Sequence, residues 1–543
     1  MVIAEDFDVI IIGGGATGLG TARDAVLRGF RVLLIERFDI ATGATGSNHG
    51  LLHSGARYAV TDPESAKECI GENIILRRIA CHCIENTGGL FLTLPEDDLT
   101  FQKEFVNACV NCGIEANVLS AREARHLDPS VNPLLKGAVR VPDGAIDPFM
   151  LSAANLIDAR EHGAQIWTYH EVKGIIRRQD KVVGVEVFCH KTRERKEVYA
   201  PVVVNAVGIW GQQIARMAGI DITMQPNKGS MLVYGERVNK MALNRCRKPG
   251  NADILVPSAA VTLMGTTSID IPFDEIANAK VTPQEVDLLV GEGEKLSPAL
   301  ARTRILRAYS GVRPLAVVGT HHSGRSISRG IVLFDHAERD GLEGYITITG
   351  GKLMTYRLMA EWTVDLICSK LGVAARCTTA EKPLPGSQEE RVSVNKKMFS
   401  FPSLLRRSLI QRHGDRAIQI FDFISVLWGQ RKKRSADKLL ARSVLCPCEE
   451  ITSGEVLYAQ KELGISNLMD LRRRTSVGMG ECQGEICICR AAGLLGCNKE
   501  EVIHFLQERW KGIAPVAWGD ALRESEITEM LYGGVCGFKN ESR

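Results

Sequence analysis

The tightest constraint in this chain is a glycine triplet at fixed spacing. Gly13-x-Gly15-x-x-Gly18 follows directly on the apolar run Val9-Ile10-Ile11-Ile12. A segment with Leu19, Ala22 and Val26 on one helical face runs from it to Gly29, and a second apolar run, Arg31 to Glu36, follows. Strand, tight turn, helix and strand in this order make one βαβ unit, the building block of parallel sheets covered by helices. Gly13 permits the turn, Gly15 lets backbone approach a pyrophosphate, and Gly18 lets helix pack on strand. The helix N-terminus offers free N–H groups and a positive dipole end to phosphates. Glu36, at the end of the second strand, is placed to accept hydrogen bonds from ribose hydroxyls. The competing reading is a glycine-rich turn that holds no ligand. The fingerprint predicts a dinucleotide site and does not separate FAD from NAD.

Two later stretches favour FAD. The glycine-rich segment Ala41 to Gly55 is too rich in breakers for helix or strand and would lie along a flavin. Strand patterns at Glu171–Arg177, Val182–Cys189 and Glu197–Val204 lead back to the small-residue end Asn205-Ala206-Val207-Gly208. Helical patterns cover Pro63 to Cys83, Phe101 to Cys112 and Phe149 to His162. A length of 543 residues leaves room for several domains, at about 150 residues each. With 45% hydrophobic and 24% charged residues, disordered and collagen-like classes are excluded. A net charge of +3 gives no argument for nucleic acid. The chain shows neither a secretory signal pattern nor an apolar run of spanning length, so a cytoplasmic location is expected.

Sixteen cysteines in a cytoplasmic chain call for an explanation other than disulfides. Six crowd between Cys446 and Cys497. Cys446-Pro447-Cys448, then 33 residues, then Cys482 and Cys487 separated by four, make a C-x-C…C-x₄-C arrangement. Two paired thiolate loops of this kind suit a [2Fe-2S] cluster. Zinc is the alternative, although its sites more often use gaps of two to four residues, and four inert buried thiols are the plain one. Cys81-x-Cys83 and Cys109-x-x-Cys112 lie in helical patterns without matching partners. Before this module, Pro383, Pro385 and Gly386 mark a linker, and residues 401 to 442 carry ten Lys or Arg against three Asp. That stretch reads as a solvated helical connector, with anionic lipid or an acidic partner as the alternative.

Three further motifs carry a family resemblance. Gly43-Ala44-Thr45-Gly46-Ser47-Asn48-His49-Gly50-Leu51-Leu52-His53-Ser54-Gly55-Ala56-Arg57-Tyr58, Ala308-Tyr309-Ser310-Gly311-Val312-Arg313-Pro314-Leu315 and Gly350-Gly351-Lys352-Leu353-Met354-Thr355-Tyr356-Arg357 resemble the FAD-dependent glycerol-3-phosphate dehydrogenases, most of all the A-type subunits of the bacterial anaerobic enzymes. The likeness covers nearly the whole chain. It implies an α/β fold with a D-amino-acid-oxidase-like, Rossmann-type FAD domain, an antiparallel-sheet substrate domain and a small C-terminal [2Fe-2S] domain of the bacterioferritin-associated ferredoxin type. The expected division is an oxidoreductase over 1–375, a basic connector over 376–442, the [2Fe-2S] domain over 443–497 and a C-terminal segment over 498–543.

The resemblance also implies roles for residues. Gly13, Gly15, Gly18, Glu36, Arg37, Thr45, Gly46, His49, Gly50, Leu51, Gly208, Gly351, Lys352 and Leu353 would hold FAD. Arg57, Tyr58, Thr266, Arg313, Arg329 and Lys352 would meet sn-glycerol 3-phosphate, since arginine forks suit phosphate oxygens. Arg313 and Lys352 would stabilise a developing alkoxide. His53 would take the hydroxyl proton or stand as a packed, hydrogen-bonded histidine. Cys446, Cys448, Cys482 and Cys487 would ligate the cluster. Related single-chain dehydrogenases carry His after Lys-Gly-Ser, whereas Lys228-Gly229-Ser230 is followed here by Met231, which leaves the base open. Implied partners are a membrane-associated iron–sulfur subunit together with a second cytoplasmic subunit, and FMN is possible in the assembly. The chain itself would lie peripherally on the cytoplasmic face of the inner membrane, feeding quinone. The alternatives are a flavin dehydrogenase of a 2-hydroxy acid or amino acid, and a non-catalytic electron-transfer subunit.

Overall fold

A computed structural model describes residues 6–317, 330–387, 402–429 and 443–538. The glycine-rich unit forms as the sequence predicts: β1 (Val9–Ile12), α1 (Ala16–Leu27) and β2 (Val32–Glu36). Both strands are wholly apolar up to Glu36 because the sheet is covered on both faces. Among the described residues this sheet has six strands, in the order Ile331–Asp335, Tyr345–Gly350, Val202–Asn205, β1, β2 and Gln165–Thr168. All its pairings are parallel except that of the edge strand Ile331–Asp335. α1, the helix Pro148–Glu161 and the helix Tyr356–Leu371 pack beside it; a buried ion pair of Arg23 with Asp158 joins the first two, and Arg357 ties the third to Glu72 of the helix Pro63–Ile79 at 2.6 Å.

A larger, mostly antiparallel sheet makes the second layer. Its spine is the long pair Met224–Tyr234 and Ile305–Ala316, matched from Met224 opposite Ala316 to Tyr234 opposite Ile305. A three-stranded sheet of His170–Arg178, Lys181–Cys189 and Arg195–Tyr199 completes the strand-rich part. The single strand expected over Glu197–Val204 is in fact two. Pro201 has no N–H to continue a ladder, so the chain bends there. Residues before it pair antiparallel with Lys181–Cys189, and those after it join β1.

Beyond the linker, short helices enclose the cysteine-rich module around Leu445, Ile451, Leu471, Cys487 and Phe505. The module is tied to the flavin-side domain by Arg474 and Arg473 on Asp39, at 2.5 and 3.2 Å, and by Tyr169 on Asp470. The C-terminal helix Lys499–Ile513 also reaches the strand Ile305–Ala316, and Val516 enters the core of the larger sheet. Among the described residues no helix is long and apolar enough to cross a membrane.

The turn after β1 tolerates little. Gly13 holds φ +111°, and a Cβ on Gly18 would run into the Gly13 carbonyl oxygen. Gly18→Ala is therefore expected to lower stability by about 1–3 kcal/mol, read as a lower urea midpoint, and to reduce the flavin retained on purification.

Candidate functional site

Between the two sheets lies a cleft of about 720 Å³, within the range of roughly 300–1,000 Å³ usual for cofactor and substrate sites. One end is the N-terminus of α1, where Ala16 and Thr17 form the wall. The Ala16 N–H donates to Thr45 Oγ1 at 3.0 Å, which draws the glycine-rich loop over the helix end. Glu36 is half-buried, accepting from the Gly14 N–H at 2.7 Å and the Phe38 N–H at 2.9 Å. Burial outweighs those bonds and pushes its carboxyl upward. Next to it, Arg37 stacks on Trp210 at 4.4 Å and on Phe38 at 4.9 Å, and none of the three lines the cleft.

The opposite end carries cations. Arg313, on the strand Ile305–Ala316, meets four neutral acceptors among the described residues. Its guanidinium donates to Asn227 Oδ1 at 2.6 Å, the Lys228 carbonyl at 3.2 Å, the Thr267 carbonyl at 2.9 Å and the Thr266 hydroxyl. A Cβ on Gly229 would stand 2.6 Å from this guanidinium, so the glycine of Lys-Gly-Ser makes room for Arg313. Lys352 lies above the Tyr58 ring at 4.6 Å. His53 is 6% exposed, with the rings of His49 and Tyr58 each 5.7 Å away.

Thr45, His49, Leu51, His53, Arg57, Tyr58, Thr266, Arg313, Gly351, Lys352 and Leu353 all line this one cleft. Others expected to hold the cofactor sit behind its wall. A Cβ on Gly46 would strike the Ala41 carbonyl, and one on Gly50 would come 2.8 Å from the Ile146 carbonyl, so both serve backbone packing. Gly208 turns with φ +62° beside Pro314. Arg329 lies outside the described residues.

Arg57 has a different neighbourhood from the one its motif implies. It donates to Asp253 at 3.0 Å, and Asp253 also takes Arg247 at 2.6 Å. One carboxylate thus serves two guanidinium groups, and Arg247 also reaches Glu292 at 3.2 Å. The sequence reading missed Asp253, which sits in the turn Gly250-Asn251-Ala252-Asp253 with no motif to flag it. Lys228 faces away from the cleft, paired with buried Glu285 at 2.8 Å. Met231, where the single-chain relatives carry His, lines the wall and supplies no proton acceptor.

The cradle suits a dinucleotide flavin: an α1 N-terminus on the wall, a half-buried acid ending β2, and a long cleft ending at cations. The matching sequences agree. The family model of FAD dependent oxidoreductases matches residues 8–357. The A-type subunit of the anaerobic glycerol-3-phosphate dehydrogenase of Escherichia coli K12 is 58% identical over 99% of this chain and 98% of its own. The chain belongs to the A-type subunit family of anaerobic glycerol-3-phosphate dehydrogenases. Its A1-type counterpart in Haloferax volcanii is 41% identical over 97% of this chain and 90% of its own. Among solved structures, the glycerol-3-phosphate dehydrogenase of Bacillus halodurans complexed with FAD has the same fold, with a TM-score of 0.71 at 22% identity, covering 94% of this chain and 95% of that one.

In this family member the four module cysteines converge as two pairs. Cys448 Sγ is 3.6 Å from Cys482 Sγ, and the Cys487 thiol bonds to Cys446. That bond, with backbone N–H donors from Glu449, Gly478 and Cys448, holds the Cys446 thiol well below its ordinary range. A Cβ on Gly480 would stand 2.5 Å from Cys448 Cβ, so the second loop closes on the first only with glycine there. Among the described residues no three His, Cys, Asp or Glu side chains stand together at metal-holding spacing. The donor set is nonetheless four thiols, fed by backbone N–H groups, which suits a thiolate-ligated centre in kind.

Two outcomes are expected. Asp253→Asn removes the carboxylate shared by Arg57 and Arg247 and should cost about 3 kcal/mol in urea unfolding. In the module, burial of Glu455 is outweighed by Arg412 and His413, which hold its carboxyl at about 2. Its folded value lies below the unfolded one, so the stability it contributes is present above about pH 4.5 and lost as pH falls toward 2. Glu455→Gln should flatten that acid limb in an acid titration followed by circular dichroism.

Proposed function

We propose that this chain is the catalytic subunit of an anaerobic respiratory glycerol-3-phosphate dehydrogenase. In this reading it oxidises sn-glycerol 3-phosphate to dihydroxyacetone phosphate and passes the electrons through a [2Fe-2S] centre and partner subunits to quinone. The observation that carries it is the cleft itself, with a dinucleotide cradle at one end and Arg313, Lys352 and the Arg57–Asp253–Arg247 group at the other. Bound FAD supplies the two-electron acceptor for the hydrogen at C2 of the donor.

The chain's own residues bind, orient and deprotonate. Arg313, held in the cleft wall by amide, carbonyl and hydroxyl acceptors among others, would meet a phosphate dianion or a developing alkoxide. Lys352 adds a second cation beside Tyr58, and Thr266 both orients Arg313 and stands in the wall. His53 is positioned in the cleft to accept the proton leaving the C2 hydroxyl. Arg329 is assigned to substrate by the motif alone.

Cys446, Cys448, Cys482 and Cys487 would hold the [2Fe-2S] centre. Its proximity to the flavin side supports this reading. Glu449 is within electrostatic reach of Asp147, and the adjoining Ile146 N–H bonds the Gly50 carbonyl at 2.8 Å in the flavin loop. Electrons leaving the module would pass to a membrane-associated iron–sulfur subunit in an assembly with a second cytoplasmic subunit, with this chain held only peripherally.

The decisive experiment is anaerobic. The purified protein's flavin band should bleach on addition of glycerol 3-phosphate and not with lactate or glycerol; a band that bleaches equally with lactate overturns the substrate assignment. Arg313→Ala should lower turnover about 10²–10³-fold at unchanged FAD content, whereas equal loss of both would move Arg313 into the scaffold. His53→Gln should lower kcat about 10²-fold or more and remove the acid limb of the pH–rate profile.

A further inference from the structure

Behind the substrate end of the cleft, one buried carboxylate gathers the segments that carry the acceptors of Arg313. Glu285 is the third residue of the helix Pro283–Leu296 and closes a capping box with Thr282. It is 3% exposed and lies behind the cleft wall rather than in it. Its Oε2 accepts from the Lys228 ammonium at 2.8 Å and from the Thr282 N–H at 3.0 Å. Its Oε1 accepts from the hydroxyls of Ser230 at 2.7 Å and Thr267 at 2.8 Å. Thr267 Oγ1 in turn accepts from the Ser230 N–H at 2.9 Å, which ties the strand Met224–Tyr234 to the segment that follows the strand Val261–Gly265.

Lys228 and Thr267 are also the residues whose carbonyls receive the Arg313 guanidinium, at 3.2 and 2.9 Å. Each presents its side chain to Glu285 and its carbonyl to Arg313. Thr266, whose hydroxyl accepts from Arg313 as well, adjoins Thr267. Capping a helix requires none of this. In the box Ser120–Glu123 the glutamate is exposed and accepts from the cap residue itself, at 2.8 Å from its N–H and 2.7 Å from its hydroxyl. Burial works against the charge on Glu285, yet its donors, Lys228 first, hold the carboxyl below its ordinary range. Bonds to an ionised acceptor are shorter and stronger than neutral ones, so this anchor is stiff.

We propose that Glu285 is a positioning residue for substrate turnover: from behind the wall its carboxylate fixes the Lys228 and Thr267 carbonyls, and through them the place of the Arg313 guanidinium in the cleft. The role rests on the reading that Arg313 meets the substrate.

The test is a double-variant cycle in the FAD-loaded full chain, assayed with glycerol 3-phosphate and a soluble dye as electron acceptor. Glu285→Gln and Arg313→Ala are made singly and together. An amide accepts at one end only, so Glu285→Gln leaves half of the donors facing an NH₂ group. At wild-type FAD content, kcat/KM should fall about 10–10²-fold, divided between kcat and KM as in Arg313→Ala. In the Arg313→Ala background the same substitution should change kcat/KM by less than about twofold. The amide also leaves the buried Lys228 ammonium without its counter-ion. Should Glu285→Gln fail to fold, Lys228→Met with Glu285→Gln removes both charges and should show the same loss and the same dependence on Arg313. A merely structural role gives equal losses in both backgrounds. Equal losses, or a folded variant with wild-type kcat/KM, overturn the proposal and leave the assignment of Arg313 standing. An Arg313→Ala enzyme with wild-type kcat/KM overturns that assignment, and the positioning role with it.

Discussion

The strand Ile305–Ala316 is the element on which the rest of the molecule depends. Side chains alternate along a strand, so Arg307, Tyr309, Gly311 and Arg313 face one way. Each meets a different part of the protein. Arg313 enters the substrate end of the cleft, and a Cβ on Gly311 would strike the Ser47 carbonyl of the glycine-rich loop. Tyr309 donates to the Asn48 carbonyl at 2.8 Å, and Arg307 faces the C-terminal helix. Only a residue without a side chain lets the loop and the sheet approach this closely. The distance between the cofactor cradle and the substrate cations is thereby set by a backbone contact rather than by adjustable side chains.

Charge is handled differently at the joints and at the cleft. The segments that must stay together are pinned by buried pairs whose members are far apart in sequence: Arg23 with Asp158, Arg357 with Glu72, Arg245 with Asp97 and Arg474 with Asp39. Such pairs contribute little net stability but penalise misdocked arrangements, because separating them strands a buried charge. Among the described residues Arg313 instead takes amide, carbonyl and hydroxyl acceptors, which orient the guanidinium. A carboxylate there would compete with a phosphate ligand. Arg57 shows the other solution, in which an aspartate shared with Arg247 tempers its charge.

Much of the flavin side was legible from residues alone. The glycine spacing, the flanking apolar runs and the acid after the second are local features, and local sterics dictate their geometry. The glycine loop, the Arg313 motif and the Lys352 motif are distant in sequence, yet they line one cleft. What was not legible depends on pairing across sequence distance. Gly46 and Gly50 read as ligand contacts, and the need for glycine at both to admit neighbouring backbone was not legible. Asp253 carries no motif and is identifiable only once the turn holding it lies against Arg57. The strand expected over Glu197–Val204 serves two sheets, since its continuity failed at the one residue without an N–H.

The sequence by itself determined the dinucleotide cradle, the order of its strands and helix, and the four thiols that come in two close-spaced pairs. These follow from glycine sterics, hydrophobic period and spacing, which need no long-range information. The tertiary structure decided which cations keep their charge. Arg313, Arg57 and Arg472 are the same residue type in the sequence. One is oriented by amide, carbonyl and hydroxyl acceptors, one shares an aspartate, and one is half-buried near the guanidinium groups of Arg307 and Arg473. That difference arises only when strands and helices hundreds of residues apart are brought together, because electrostatic environment belongs to neighbours in space.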